Sequence, residues 1–341
     1  MNVREAFAAQ APVCDDLGSP FTARLMRLCA ERLERGNAVA DRVLDWPEDP
    51  SNRASALPLR VAGILHRLVL AGDAGLAAVY PPHDATDGAL WSAVTQAMKD
   101  HADALLDWID SPPQTNEVRR AAALIPALHM IAAAEDRPLA LLELGASAGL
   151  NLNADRFRLT TGAVSYGPAD SAVVLAPGWT GASPAPADLH FASREGVDLR
   201  PIDPDDPEQR RRLLSYIWAD QPDRMARTEA AIALRRASDV VLTAGDAGGW
   251  LAERLGCRAG LGVPVVYHTI AWQYFPRATQ AACEASMRGH GNLWRLAMEA
   301  DGGRRGAAIT LTRYPEDRSI PLGRVDFHGR WLDWTGPVAL A

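Results

Sequence analysis

The sequence predicts an α/β protein, with a helical N-terminal region leading into a mostly parallel sheet flanked by helices. Three observations predict it. Apolar residues recur at helical spacing up to about residue 137. From residue 138 onward, short apolar runs alternate with helix-forming stretches, the pattern of a parallel sheet. Between them lies Leu139–Asn153, LALLELGASAGLNLN: an apolar run, an acid, then a turn of small residues. A short apolar run bounded by glycine is what a strand buried on both faces requires. The expected division is a helical cap over 1–137 and a sheet domain over 138–341.

The helical region opens with Phe21–Leu33, which sets Phe21, Leu25, Leu28 and Leu33 on roughly one face. Leu59–Leu70 repeats the pattern, and Ala89–Ile109 carries Leu90, Val94, Met98, Leu105 and Ile109. Prolines 47, 50, 58, 81, 82, 112 and 113 punctuate these segments. Gln114–Glu135 reads as a helix capped by Thr115 or Asn116 and kinked at Pro126. After the central turn, Val164–Leu175 is a weaker strand-and-loop region, and Pro177–Pro186 a Gly/Pro/Ala-rich loop. His190–Leu199 reads as a strand ending at Asp198, and Asp205–Arg236 as helix interrupted near Asp220-Gln221-Pro222. Val240–Thr243 and Val263–Tyr267 are short buried strands. Ala307–Thr312, Gly323–Phe327 and Arg330–Trp334 are strands, the last two paired around His328-Gly329.

At 341 residues, 48% hydrophobic and 23% charged, the chain can bury a large core. A net charge of -7 leaves no basic footprint, so nucleic acid is not an expected partner. The four cysteines form no C-x-x-C pair and H-E-x-x-H is missing, so no metal site is expected. No apolar run is long enough to span a bilayer and no export signal opens the chain, so a cytoplasmic location is expected, with no membrane partner. Oligomeric state is not encoded in these features.

The central turn admits three ligands. A dinucleotide would want G-x-G-x-x-G, but here the pattern is G-x-S-x-G, and Glu143 beside the loop would repel pyrophosphate while suiting an ammonium or sulfonium. A nucleophile elbow centred on Ser147 fits the letters, with Asp246 and His268 following in triad order. No oxyanion loop of the H-G-G-G type precedes it, however. The third is the E-x-G-x-(G/S)-x-G turn of S-adenosylmethionine-dependent, Rossmann-like methyltransferases, matched by Glu143, Gly145, Ser147 and Gly149. Its free N–H groups, together with Ala146 and Asn151, would face a crevice at the strand's carboxyl end. That reading asks for an acid on the ribose hydroxyls, Asp198 or its rival Asp170, and for Asp246-Ala247 at the adenine amine. The next strand delivers His268 as a candidate general base, with Tyr274 and Trp272 as candidate catalytic and substrate-wall residues. No Asn/Asp-Pro-Pro-aromatic tetrapeptide stands there, which lowers the weight of amine and purine acceptors.

Seven segments together resemble a bacterial family known as domain of unknown function 2332. They are QTNEVRR, LLELGASAGLNLNADRF, ASREGVDLRPID, WADQPDRMARTEAAIA, the GDA turn, VVYHTIAWQYFP and HGRWLDW. The resemblance spans about Phe21 to the end, and Ala219 stands where the family pattern has proline. It implies a Rossmann-like, methyltransferase-type fold and supplies no substrate. It also marks Gln114, Asn116, Glu117, Arg119, Arg194, Trp218, Asp220, Gln221 and Arg224 as motif positions. Of these, Asn116, Arg119 and Arg194 join Trp272 as substrate-binding candidates. The expected activity is methyl transfer from S-adenosylmethionine to a small molecule. A Ser147 hydrolase and a non-catalytic binding protein are the alternatives.

Overall fold

The computed structural model describes residues 1–257, 262–303 and 305–340. In chain order the helices are α1 Val3–Asp16, α2 Pro20–Arg32, α3 Ala38–Leu44, α4 Leu57–Leu70, α5 Ala74–Ala77, α6 Asp87–Asp100, α7 Ala102–Ile109, α8 Ala121–Ala134, α9 Pro207–Ser215, α10 Pro222–Arg236, α11 Ala247–Gly256 and α12 Arg277–His290. The strands are β1 Leu139–Leu144, β2 Arg158–Thr160, β3 Ser165–Tyr166, β4 Val174–Leu175, β5 Gly178–Thr180, β6 Phe191–Asp198, β7 Val241–Ala244, β8 Val263–Thr269, β9 Leu293–Glu299, β10 Ala307–Tyr314, β11 Arg318–Val325 and β12 Trp331–Trp334. Two compact units emerge: Met1–Thr115 with Asp205–Ala226, and Asn116–Pro204 with Arg227–Ala341.

The first unit is helical. Amphipathic α1, α2, α4 and α7 turn Phe7, Leu25, Met26, Leu65 and Leu105 into one core, which Leu57, Tyr80 and Val94 complete. The returning segment belongs to this unit because the W-x-D-Q motif closes the start of α2. Asp220 accepts from the Ser19 hydroxyl and, at 2.8 Å, from the Phe21 N–H, two groups at a helix N-terminus that need an acceptor. Gln221 Nε2 donates to Leu17 O at 3.2 Å. These motif positions do structural work.

The second unit carries a nine-stranded sheet of order β5-β12-β11-β10-β9-β8-β1-β6-β7. The stretch from β9 through β8, β1 and β6 to β7 is parallel, β9 to β12 antiparallel, and β5 rejoins parallel at the far edge. All six residues of β1 are buried, as its apolar run requires. On one face Leu142, Leu144 and Val266 pack with Trp250 and Leu251 of α11 and Cys283 and Met287 of α12. Period-two alternation sends Leu141, Glu143, Arg194 and Tyr267 to the other face. β2, β3 and β4 form a small separate sheet inside the long insertion between β1 and β6. Among the described residues no helix is long and apolar enough to cross a membrane.

Several expectations shift. The units divide after Thr115, not at 137, because α8 is buried from Ala121 through Ile131 and packs against β9. Ala89–Ile109 breaks into α6 and α7 at His101, whose φ of -117° leaves the helical region. Pro177–Pro186 contains β5, a sheet edge rather than a free loop. Strand β9 is not announced by its sequence, since LWRLAME alternates too loosely.

Candidate functional site

Beside β1 the connections run in opposite directions, to β6 on one side and β8 on the other. In open α/β sheets that switch point opens a crevice at the carboxyl ends of the strands. The turn there is Gly145–Gly149, with φ of +75° at Gly145 and +68° at Gly149. A Cβ on Gly145 would stand 2.7 Å from the Ala271 methyl, so close approach and conformation both demand glycine.

Four of the turn's amides, those of Gly145, Ala146, Ser147 and Gly149, donate inside the fold. Gly145 and Ala146 both donate to Val197 O, at 2.9 and 3.0 Å. Ser147 donates to Asp198 Oδ2 at 2.9 Å, and Leu150 to Asn116 Oδ1 at 2.9 Å. The expectation of free N–H groups is corrected for these amides, because the turn folds across the end of β6. After Gly149 the chain forms a 3-10 helix, Leu150–Arg156, with non-helical geometry at Asn153.

The R-x-G-x-D segment of β6 explains this folding. Arg194, Gly196 and Asp198 alternate onto one face, and each meets the turn or the 3-10 helix after it. Arg194 forks onto both oxygens of Asp155, at 2.6 and 2.7 Å, and donates to Leu152 O at 2.9 Å. A Cβ on Gly196 would lie 2.6 Å from the Ala146 Cβ. Arg194, a substrate-binding candidate in the sequence, is thus corrected to a strut. Asp198 Oδ1 accepts from Arg200 N–H at 2.9 Å. Asp198, not Asp170, ends the strand beside β1; Asp170 sits exposed between β3 and β4.

Glu143 is 2% exposed and accepts from the Tyr267 hydroxyl at 3.1 Å. Burial pushes its carboxyl up to about 8, the nearby Asp198 adds to the rise, and Tyr267 and Arg120 oppose it. Burial and Glu143 hold the Tyr267 phenol well above its ordinary value. At neutral pH the pair is an acid and a phenol, not two anions.

Two further buried groups face no partner: Ser147 Oγ and Asn151 Oδ1, in residues 4% and 1% exposed. Ser147 adopts φ +53°, a region few non-glycine residues occupy. Asn153, fully buried, has neither side-chain atom paired. The 3-10 turn Val118–Arg120 lies against this loop. Asn151 Nδ2 donates to Glu117 O at 3.2 Å, while Arg120 donates to Thr269 O at 3.0 Å and to Phe327 O at 3.1 Å. A Cβ on Gly329 of the HGRW motif would sit 2.5 Å from Arg119 O, so that turn clamps the same segment. Asn116, expected as a helix cap or substrate contact, is instead the acceptor for Leu150; Glu117 caps Arg119 N–H at 3.1 Å. Arg119 stands beside the turn, half-buried.

The remaining candidates fall elsewhere. Asp246 caps α11 through Gly248 and Gly249 N–H at 2.9 and 3.3 Å, and accepts from the Thr279 hydroxyl at 2.6 Å. These bonds, Thr279 foremost, hold its carboxyl below the usual range. Ala247 opens that helix and joins its core. Asp246→Ala should cost about 1 kcal/mol of stability through the lost cap, read as a lower urea midpoint. His268, the expected general base, is fully buried, with Nδ1 2.7 Å from Glu299 and Nε2 accepting from Arg295 at 3.1 Å. The arginine leaves the Nε2 lone pair as acceptor, so Nδ1 carries the proton. Burial lowers its pKa despite Glu299. Both nitrogens are engaged, which corrects the base assignment and leaves Ser147, Asp246 and His268 unassembled as a triad. Trp272 stacks on His268 at 4.9 Å and carries the Arg295 guanidinium 4.1 Å over its ring, while Tyr274 is 75% exposed. Glu299 and Arg295 give no signal in the sequence because β9 gives none. Tyr267 gives none because an apolar run hides a buried tyrosine.

A family profile described as uncharacterized protein conserved in bacteria (DUF2332) matches residues 4–334. The chain belongs to that family. The segments QTNEVRR, GASAGLNLN, REGVD and HGRW, which carry the family resemblance, therefore meet at one end of the sheet. Comparison with curated proteins found none that matches, and comparison with solved structures found none either.

Proposed function

We propose that this DUF2332 protein binds S-adenosylmethionine at the β1 turn and transfers a methyl group to a small molecule. One observation carries the reading. Numbered along the chain, the five parallel strands β7-β6-β1-β8-β9 have the order 3-2-1-4-5 of a Rossmann-like sheet. Acids stand at the carboxyl ends of the first three: Glu143 within β1, Asp198 closing β6, and Asp246 just past β7. The sequence suggested three acids for three parts of the cofactor; all three stand on adjacent strands, Glu143 and Asp198 at the β1 turn and Asp246 as the cap of α11.

The donor set fits such a group. Ser147 Oγ and Asn151 Oδ1 are buried and unpartnered, and Asp198 ends β6 beside the turn, where it accepts from the Ser147 and Arg200 N–H groups. Glu143, Ser147, Asn151 and Asp198 would hold the cofactor, which when bound supplies an electrophilic methyl group on a sulfonium. The chain's own contribution is positioning. Arg194 and Gly196 fix the turn, Arg120 ties the flanking 3-10 turn to the end of β8, and no described side chain need take a proton for orientation to accelerate transfer.

Isothermal titration with S-adenosylmethionine and S-adenosylhomocysteine tests the reading. Ser147→Ala removes a hydroxyl with no internal partner, so it should leave folding intact and weaken binding about tenfold, the worth of one hydrogen bond. No heat with either ligand, in folded protein, would remove the proposal. Fluorophosphonate labelling of Ser147 would then favour a hydrolase.

A further inference from the structure

We infer that the β1 turn receives a cationic group of its ligand at the Glu143 carboxyl, and that binding this cation releases one proton from Glu143. The inference rests on the methyltransferase reading and adds the sign of the charge recognised and its coupling to protons.

Buried oxygen atoms gather at the turn. Ser147 Oγ and Asn151 Oδ1 are buried without partners, and Glu143 and Asp198 bring two carboxyls to the same place. Of the amides that an anion such as pyrophosphate would need, those of Gly145, Ala146, Ser147 and Leu150 already go to Val197 O, Asp198 and Asn116. Three charged or titratable groups face Glu143: Tyr267 from β8, Asp198 from β6 and Arg120 from the 3-10 turn. Tyr267 donates a neutral hydrogen bond. Arg120 commits Nε and one terminal nitrogen to Phe327 O and Thr269 O. Burial without a contacting cation keeps the carboxyl protonated near neutrality. An ammonium or sulfonium arriving beside it favours the carboxylate. The O–H bond of Glu143 then breaks, its electron pair stays on the carboxylate, and the proton passes to buffer. Nothing is oxidised or reduced.

Titration calorimetry of the whole protein in phosphate and in imidazole, whose ionisation heats differ, counts the proton. The probes are S-adenosylmethionine, S-adenosylhomocysteine and methylthioadenosine, which carry both cations, the ammonium alone, and neither. At about pH 6.5, S-adenosylmethionine should release about one proton and methylthioadenosine none. Release with S-adenosylhomocysteine assigns the ammonium, and its lack assigns the sulfonium; either supports the inference. Between about pH 6 and 7, where an α-ammonium stays charged, wild-type affinity should rise about tenfold and that of Glu143→Gln less than twofold. Tyr267→Phe removes a donor that favours the carboxylate, so it should weaken binding at pH 7 while keeping the proton release. S-adenosylmethionine binding with no proton released, or with equal pH dependence in wild type and Glu143→Gln, would overturn the inference and leave the methyltransferase reading standing. No binding of any probe would remove both.

Discussion

Arg194→Leu is expected to destabilise the sheet unit by about 3–5 kcal/mol, the range for a buried ion pair that loses one member. The side chains of Arg194 and Asp155 are only 14% and 20% exposed, and their contact is a two-point fork at 2.6 and 2.7 Å. Removing the guanidinium strands the Asp155 carboxylate and frees Leu152 O, which loses its 2.9 Å donor. Asp155→Leu alone should cost a similar amount, while the double variant should recover much of it, because two apolar side chains leave no charge stranded. Urea unfolding followed by circular dichroism gives the three values. Additive losses, or a single loss below about 1 kcal/mol, would show that the fork contributes nothing beyond its separate ends. The same variant should also loosen Leu150–Arg156, so ligand affinity should fall even where the protein remains folded.

The R-x-G-x-D segment shows what the sequence could and could not convey. Its period of two predicts a strand, and a strand it is. The end of that strand beside β1, and hence Asp198 rather than Asp170, follows only from the parallel pairing of β1 with β6. The role of Arg194 was not legible, since a motif arginine reads the same whether it meets a substrate or an aspartate 39 positions away. Asp246 illustrates a related limit. The G-D-A turn reads equally as a ligand contact and as a helix N-cap, and here the aspartate caps α11. By contrast, β1 and its glycine turn were legible because local forces alone dictate them: six buried residues, then positive φ at Gly145 and Gly149. The antiparallel half of the sheet was half-legible. Its last strands announced themselves around His328-Gly329, while β9, with charged Arg295 and Glu299 pointing to one face, did not resemble a buried strand. Those two side chains are what closes both nitrogens of His268, so the missed strand and the mistaken base have a single cause.

Glu143→Gln should stabilise the protein at alkaline pH and leave it nearly unchanged in acid. The folded carboxyl is raised to about 8 from an ordinary value of 4.5, with burial as the largest cause. A group whose folded pKa is raised contributes stability that is fully present below the unfolded value and lost as pH rises through the folded one. Wild-type stability should therefore fall, through this group, between about pH 4.5 and 8, and then level off. Glutamine keeps an acceptor for the Tyr267 hydroxyl and cannot ionise, so its variant escapes that loss. Each tenfold change in acidity corresponds to about 1.4 kcal/mol, which bounds the variant's advantage above pH 8 at about 4–5 kcal/mol. The difference between the two proteins is the quantity to measure, because every other carboxylate contributes equally to both. Urea midpoints at about pH 5, 7 and 9 supply it. A constant difference across that range would mean that Glu143 titrates as an exposed acid does, and that no cation is needed at the β1 turn to ionise it.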